Sequence, residues 1–548
     1  MTTHLSAPVL CTGLTFTWPD GTPALRDLSW TAGDGRTGLI GNNGSGKSTL
    51  LKLIAGRLTP AAGSVRVTGE LGYLPQDLTL DASLPVDVVL GVAKSRAALH
   101  AIESGDADER HFTALGDDWD VEERTHATLA RLGLGHIGLD RTVGDISGGE
   151  AVLLRLAALL LARPAVLLLD EPTNNLDREA RTRLRRALAD YRGTVIVVTH
   201  DRELLDHVDQ IAELRDGAVR SFGGNLTAYE ETVAAEQETA QQAHATVRAG
   251  VARQRRDLLA AQTRQARSAR YGKQAFADNR LDKAAAGTMK RAAQVSRGKQ
   301  QAVHEERLTQ AHQRLTAAEE RLRDDDTIRI DLPDTAVPAH RTVLTLEGLR
   351  LRTGRTLDDL RVHGPERIAL TGRNGTGKTT LLRTVAGEQL PAEGRATVHV
   401  PLRYLPQRLD LLDDDRSIFD NVCGLNPHAV PNRIRAQLAR FLFKAHRADQ
   451  PVATLSGGER FRATLAALLL ANPAPQLLLM DEPTNNLDMA STGQLVQALA
   501  GYRGALIIAS HDEHFLSQIG ITRWLSLDPA AAPGTPDRQA DDAQTLDD

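Results

Sequence analysis

The chain of 548 residues is 25% charged and 41% hydrophobic, with 65 Lys and Arg against 70 Asp and Glu, a formal net charge of -5. That length predicts three or four domains with sizeable cores, and an aromatic content of 3% leaves Leu, Val and Ala to fill them. Two cysteines far apart, Cys11 and Cys423, exclude a disulfide framework and a cysteine metal cluster, and they suit a reducing cytoplasm. The opening residues MTTHLSAPVL lack the basic region and apolar run of a secretory signal. No uninterrupted apolar run is long enough to cross a bilayer, the best candidate, 151–162, being broken by Arg155. A role at a membrane would need a separate spanning chain.

Along the chain, residues 5–230 and 341–528 carry the same signals in the same order. Each copy opens with an apolar strand that enters a glycine-rich loop: TGLI at 37–40 then GNNGSGKST at 41–49, and IALT at 368–371 then GRNGTGKTT at 372–380. Both fit G-x-x-x-x-G-K-[ST] followed by a helix, the pattern of a phosphate-binding loop. Gly41, Gly44 and Gly46, and in the second copy Gly372, Gly375 and Gly377, let backbone N–H groups close on a phosphate, with Asn42 and Asn374 in the same loops. Lys47 and Lys378 put a cation at the β- and γ-phosphates, and Ser48 and Thr379 offer a hydroxyl to Mg2+. Thr49 and Thr380 follow in the first helical turn, whose N-terminus adds positive potential.

The next shared signal is VLLLDE at 166–171 and LLLMDE at 477–482. The apolar run predicts a buried parallel strand. Its end sets Asp170 and Asp481 near a metal, and Glu171 and Glu482 where they can polarise a water against the γ-phosphate. Phosphoryl transfer asks for such positioning more than for covalent chemistry.

Between the copies, 232–325 resembles neither. Residues 248–299 hold fourteen Lys and Arg against three Asp, a local +11, which points to an anionic partner at that place alone. The Ala-, Gln- and Arg-rich composition favours helix. Helices are predicted over 232–268 and 289–323, on either side of a tip at 269–288 that contains the breakers Gly272, Asn279 and Gly287. Such an antiparallel hairpin reaches about 50 Å at about 1.5 Å per residue. Arg264, Arg267, Arg270, Lys273, Arg280, Lys283, Lys290 and Arg291, interleaved with Tyr271 and Phe276, are candidate RNA contacts through phosphates and base stacking. The plainer alternative is a spacer with a solvated face, but spacer helices mix signs for i,i+4 pairing.

The remaining motifs carry a resemblance. ISGGE at 146–150 and LSGGE at 455–459 each open an apolar helix, where Ser147, Gly148 and Gly149, or Ser456, Gly457 and Gly458, can cap it and point N–H groups at a phosphate. Both copies thus resemble the ATP-binding cassette superfamily from end to end. The resemblance implies that each signature loop faces the phosphate loop of the other cassette, pairing Lys47 with Ser456 and Lys378 with Ser147 around two ATP molecules. It also implies that Gln76 and Gln407, after the YLP triplets, sense Mg2+, and that His200 and His511, in VVTHD and IASHD, contact the γ-phosphate. Trp18 matches the aromatic that stacks on adenine, whereas strand alignment puts Thr353 at that place in the second copy. Ala151 follows the first signature where a long polar residue is usual, so the two sites are expected to differ in affinity or rate.

Both copies read EPTNNLD, at 171–177 and 482–488, which resembles the ABC-F family, although Asn175 and Asn486 stand where His is common there. GGNLTAYE at 223–230 is similar to that family's lead-in to its linker. Gln76 and Ser147 are 71 positions apart, Gln407 and Ser456 only 49, and the excess at about 93–124 resembles a short ribosome-contacting arm, or is a plain surface loop. The fold expected is α/β: two P-loop cassettes (5–230 and 341–528) joined by a long α-helical hairpin (231–325), then an acidic, disordered tail (529–548). The resemblance implies a cytoplasmic, monomeric ATP hydrolase that binds the ribosome and moves its basic linker towards tRNA and rRNA near the peptidyl-transferase centre. Such a protein is either an antibiotic ribosome-protection protein or a translation factor. The alternatives are the ATP-binding subunit of a transporter with separate membrane chains, and a repair or chromosome ATPase, which would carry zinc modules or very long coiled coils.

Overall fold

The computed structural model describes residues 8–77, 81–174, 176–277, 303, 306–319, 328, 330, 332–427, 429–485 and 487–528. It divides into two compact units, one of Met1–Leu226 with Thr327–Asp548 and one of Thr227–Asp326. Among the described residues no helix is long and apolar enough to cross a membrane.

The first half of the larger unit contains nine strands: β1 (Val9–Thr17), β2 (Pro23–Ala32), β3 (Arg36–Ile40), β4 (Ala62–Val67), β5 (Leu71–Leu74), β6 (Val166–Asp170), β7 (Thr194–Val198), β8 (Gln210–Arg215) and β9 (Ala218–Gly223). They form an antiparallel sheet, β2-β1-β4, and a main sheet, β5-β6-β7-β3-β8-β9, parallel except for β9. The second half repeats the plan with β10 (Thr342–Arg350), β11 (Leu360–His363), β12 (Arg367–Thr371), β13 (Glu393–Val398), β14 (Leu402–Leu405), β15 (Leu477–Asp481), β16 (Ala505–Ala509) and β17 (Arg523–Ser526). Its sheets run β11-β10-β13 and β14-β15-β16-β12-β17.

Every residue of β6, β7, β15 and β16 is buried, as continuous apolar runs in a parallel sheet covered on both faces require. Alternation then sorts them. Leu477, Leu479 and Ile507 pack with the antiparallel sheet's Val343 and Leu360, while Leu478, Met480 and Ile508 pack with Phe461, Leu465 and Leu495 from helices on the other face. Parallel register pairs Leu39 and Asp170 with Val198, and Leu370 and Asp481 with Ala509. The carboxyl ends of three strands therefore share one edge in each half, the edge where open α/β sheets bind ligands.

The insertion at 93–124 is helical, with helices at Ala93–Glu103, Glu109–Leu115 and Val121–Arg131. Arg96 ties it down: its Nε donates to Glu122 at 2.6 Å, and its Nη1 bonds Asp87 at 3.2 Å and Asp140.

The smaller unit is built on one helix, Leu226–Ala277, of 52 residues. It begins before the predicted 232, and it corrects the predicted breaker tip at its near end, because the helix runs on through Gly272 to Ala277. A single glycine costs a helix only about 1 kcal/mol, and the surrounding Ala, Gln, Arg and Lys outweigh it. Residues 306–319 belong to the returning helix, where His244 Nε2 lies 3.7 Å from Glu319 Oε1, as in an antiparallel pair. Arg264, Arg267 and Arg270 are exposed on the outgoing helix, and Tyr271, Lys273 and Phe276 fall within its span. Arg280, Lys283, Lys290 and Arg291, with Asn279 and Gly287, lie outside the described residues.

Candidate active site

Each phosphate loop joins a strand to a helix, β3 to Lys47–Ile54 and β12 to Lys378–Ala386. Gly46 and Gly377 sit at the helix starts with φ 101° and 99°, a left-handed conformation that side chains disfavour. A Cβ on Gly44 or Gly375 would meet nothing within 4 Å, so these loops face open space. Gly41 serves packing, since a Cβ there would sit 2.4 Å from the Leu214 carbonyl oxygen. Lys47 Nζ donates to the carbonyls of Gly41 (2.7 Å) and Asn42 (3.1 Å), and Lys378 Nζ to those of Gly372 (2.6 Å) and Arg373 (3.2 Å). Burial lowers both lysine pKa values, against the pull of Glu171 and Glu482.

At the strand ends, Ser48 Oγ donates to Asp170 at 2.9 Å, and Thr379 hydrogen-bonds Asp481. Burial raises both aspartate pKa values. Glu171 and Glu482 follow at positive φ, 49° and 46°. Burial pushes the Glu171 carboxyl up to about 8 and Glu482 up to about 7. His200 Nε2 lies 3.2 Å from Glu171, and His511 Nε2 lies 3.5 Å from Glu482 and accepts from Lys378 Nζ at 2.9 Å. Burial drives the two imidazoles down to about 3 and about 4, so both are neutral near pH 7.

Both signature helices, Gly148–Ala162 and Gly457–Leu469, start with a capping box in which the N-cap serine and the glutamate three residues on bond reciprocally. A cavity of about 470 Å³ brings Ser147, Gly148 and Gly149 together with Asn374, Gly375, Gly377, Lys378, Thr379, Thr380, Gln407, Asp481, Glu482 and His511, and Thr353 is at its wall. A second cavity, of about 360 Å³, brings Gly457 together with Trp18, Gly44, Gly46, Lys47, Ser48, Thr49, Gln76, Glu171 and His200.

Not every predicted residue lines them. Asn43 stands in the second cavity where Asn42 was expected; Asn42 instead gives its carbonyl to Lys47, and Asn43 is the counterpart of Asn374. Gly41, Gly372, Asp170, Ser456 and Gly458 lie outside both walls. Gly458 is a packing residue, since a Cβ there would sit 2.6 Å from Ser491 Oγ.

Several residues escaped the sequence reading. Tyr73 and Tyr404 hold the strand-end aspartates through their hydroxyls, at 3.5 and 3.3 Å. Asp177 and Asp488 cap helices and also reach across, accepting from the opposite phosphate loops at Asn374 N (3.3 Å) and Asn43 N (2.6 Å). Arg181 lines the Lys378 cavity from the first half. Tyr73 and Tyr404 stand in YLP and Asp177 and Asp488 in EPTNNLD, Arg181 just beyond the first of these, but nothing local announces contacts 77 to 445 residues away.

The residues present fit a nucleotide and its cation. His200 Nδ1 and Nε2 and Glu482 Oε1 are buried without a hydrogen-bond partner, and Gly148 and Gly457 open on empty space. Among the described residues no group of three or more His, Cys, Asp or Glu could hold a metal. Each site instead offers a hydroxyl, one carboxylate and a glutamine amide, hard oxygen donors of the kind that hold Mg2+ alongside phosphates and water.

A family model described as ABC transporter matches residues 25–174 and 358–485. The tylosin resistance ATP-binding protein TlrC of Streptomyces fradiae is 34% identical over 513 residues, 88% of this chain and 90% of that protein. The energy-dependent translational throttle protein EttA of Haemophilus influenzae is 31% identical over 535 residues, 90% of this chain and 87% of that protein. Among solved structures, RNase-L Inhibitor matches with a TM-score of 0.52 at 18% identity, over 94% of this chain and 87% of that one, a likeness of fold. The two motif-bearing halves and the helical linker, together with these matches, make the chain a member of the ABC-F family of tandem-cassette, ATP-binding ATPases.

Proposed function

We propose that the chain hydrolyses Mg-ATP at two composite sites and spends the cycle on the ribosome. The observation that carries the composite reading is the cavity that takes Lys378 and Glu482 from one cassette and Ser147 to Gly149 from the other. Ser48, Asp170 and Gln76 would hold one Mg2+, and Thr379, Asp481 and Gln407 the other; the bound ion neutralises phosphate charge as it develops. Glu171 and Glu482 orient the attacking water, and His200 and His511, kept neutral by burial, present a ring nitrogen to the γ-phosphate. The helix N-termini at Ser147 to Gly149 and at Gly457 close the two sites from the far side.

The ribosome as partner rests on the basic helical linker and on relatives named for tylosin resistance and for translational throttling. In this reading a cytoplasmic monomer closes on ATP, binds the ribosome, and meets tRNA and rRNA through Arg264, Arg267, Arg270 and the tip cations. It acts there as an antibiotic ribosome-protection protein or a translation factor. The Glu171→Gln, Glu482→Gln double variant should retain ATP and cosediment with ribosomes, and binding should weaken steeply with salt as neutralised phosphates take back counterions. A double variant that sediments free of ribosomes with ATP present, or that copurifies with a membrane protein, sinks this reading. Drug susceptibility of cells carrying the intact or the tip-deleted gene separates protection from a translation role.

A further inference from the structure

The two sites are not electrostatic copies. A small cavity of about 80 Å³ between them is walled by Glu171 and His200 from one cassette and His511 and Asp512 from the other, and Arg181 and Asp201 enter it as a pair. Arg181 Nη1 lies 3.6 Å from Asp201 Oδ2, with only 17% and 7% of the side chains exposed. Arg181 Nε also donates to the Leu176 carbonyl at 3.1 Å, which holds the guanidinium in place. Both partners belong to the first cassette, yet Arg181 lines the Lys378 cavity.

The pair is oriented. Its cationic end lines the second site beside Glu482 and His511, and there, after burial and Lys378, the Arg181 charge lowers the pKa of both. Its anionic end acts on the first: Asp201 opposes ionisation of Glu171, alongside Asp170, and Lys47 is the cation that counters them. The second cassette has no equivalent pair. Four residues past the capping aspartate, where the first cassette has Arg181, the second has Thr492, which lines the same small cavity as Asp512.

Two further contacts fall on the same side. Arg373 of the second phosphate loop pairs with Glu179, and Arg178 pairs with Glu513 at 2.7 Å. The equivalent positions around the Lys47 loop are Asn42 with Ala490 and Met489 with Arg202, neither of which can form an ion pair. The remaining charges on the central cavity are Arg202, Glu203 and His514.

We propose that Arg181 is a positioning residue supplied in trans to the Lys378 site alone, so that this site holds ATP longer while the Lys47 site, whose cavity receives no arginine from the other cassette and for which neutral Thr492 stands at the equivalent chain position, exchanges it faster. The inference deepens the composite-site reading above and depends on it. The added cation favours a polyanionic phosphate chain in a partly buried cavity, and the exposed ion pairs on that flank add little by comparison.

The test uses the full chain with Glu171→Gln and Glu482→Gln, loaded with radiolabelled ATP and Mg2+ and chased with unlabelled ATP. Release should be biphasic, with Lys378→Ala removing the slow phase and Lys47→Ala the fast one. Arg181→Met should speed the slow phase about tenfold and leave the fast phase unchanged, Arg181→Lys should restore most of the slow phase, and Thr492→Arg should slow the fast phase. A single phase in the parent, or equal acceleration of both phases by Arg181→Met, overturns the proposal. Unfolding curves without nucleotide identify a variant that has merely loosened, and Thr492→Arg then stands as the independent arm. Ser147→Arg should abolish the slow phase. If it does not, the composite reading itself has failed; if it does while Arg181→Met changes nothing, only the role of Arg181 has.

Discussion

The carboxylate of Asp488 accepts a 2.6 Å hydrogen bond from the backbone N–H of Asn43, 445 residues away, while capping its own helix through Ser491 N at 2.7 Å. One side chain thus ends a helix in the second cassette and fastens the phosphate loop of the first. Asp177 makes the reciprocal pair of bonds, to Ala180 N at 2.9 Å and Asn374 N at 3.3 Å. The two aspartates couple the order of each loop to the approach of the other cassette.

Replacing Asp488 by Ala removes a cap and a cross-cassette bond together. Stability should fall by about 1–2 kcal/mol from the cap alone, and ATP hydrolysis by about tenfold. Asp488→Asn keeps an accepting oxygen and should recover most of the stability. Thermal unfolding and steady-state ATPase of the two variants check this, and equal losses in both would count against the double role.

Asp177 and Asp488 also set an acid limit. Burial works to raise their pKa values, but N–H donors win and both stand below the ordinary 3.8: Ala180 and Asn374 for Asp177, Asn43 and Ser491 for Asp488. A carboxyl with a lowered folded pKa stabilises above its unfolded value and loses that contribution as pH falls through the lowered one. Stability owed to these residues should therefore be intact above about pH 4 and be lost progressively below it, as pH falls through the lowered folded values. In Asp177→Asn, Asp488→Asn protein the unfolding midpoint should vary less with pH in that acid range than in the parent.

Burial pushes the Cys11 thiol up to about 12, from an ordinary 9.0. Its thiolate fraction at pH 8 is lower on the order of a thousandfold, and access is blocked as well. Iodoacetamide should modify Cys423 in the native protein and reach Cys11 only after denaturation. Peptide mapping after a timed reaction distinguishes the two, and rapid native labelling of Cys11 would contradict its burial.

Helix continuity through Gly272 makes the linker's near arm one element. Gly272→Ala should strengthen it by about 1 kcal/mol and Gly272→Pro weaken it by about 2 kcal/mol, neither altering basal ATPase activity. Circular dichroism of the full chain reads the helix, and cosedimentation with ribosomes reads its consequence. A proline variant as helical as the parent would mean that the helix already breaks there.

Much of the candidate site was legible because its chemistry is written in contiguous residues. Glycines around Lys47 and Lys378, apolar runs ending in Asp-Glu, and histidines after apolar strands each satisfy a local rule, and parallel strand pairing gathers them at one sheet edge. Local reading misjudged Gly272, because helix propensity is summed over a long window and one unfavourable residue is outvoted. It also chose Asn42 over Asn43, although aligning GNNG with GRNG already makes Asn43 the counterpart of Asn374.

By itself the amino-acid sequence determined two nucleotide-binding α/β halves and a basic helical connector, because hydrophobic period, glycine placement and charge density act over a few residues at a time. Only the tertiary structure decided that Asp177 and Asp488 cross to the opposite loops, and that Arg181, paired with Asp201 in the first cassette, lines the cavity of Lys378 and Glu482 in the second. Within a helix or at its cap each of these charges already has a satisfactory local role. The second role exists only once packing brings residues from the two halves within a few ångströms, where Coulomb energy becomes large enough to distinguish otherwise similar sites.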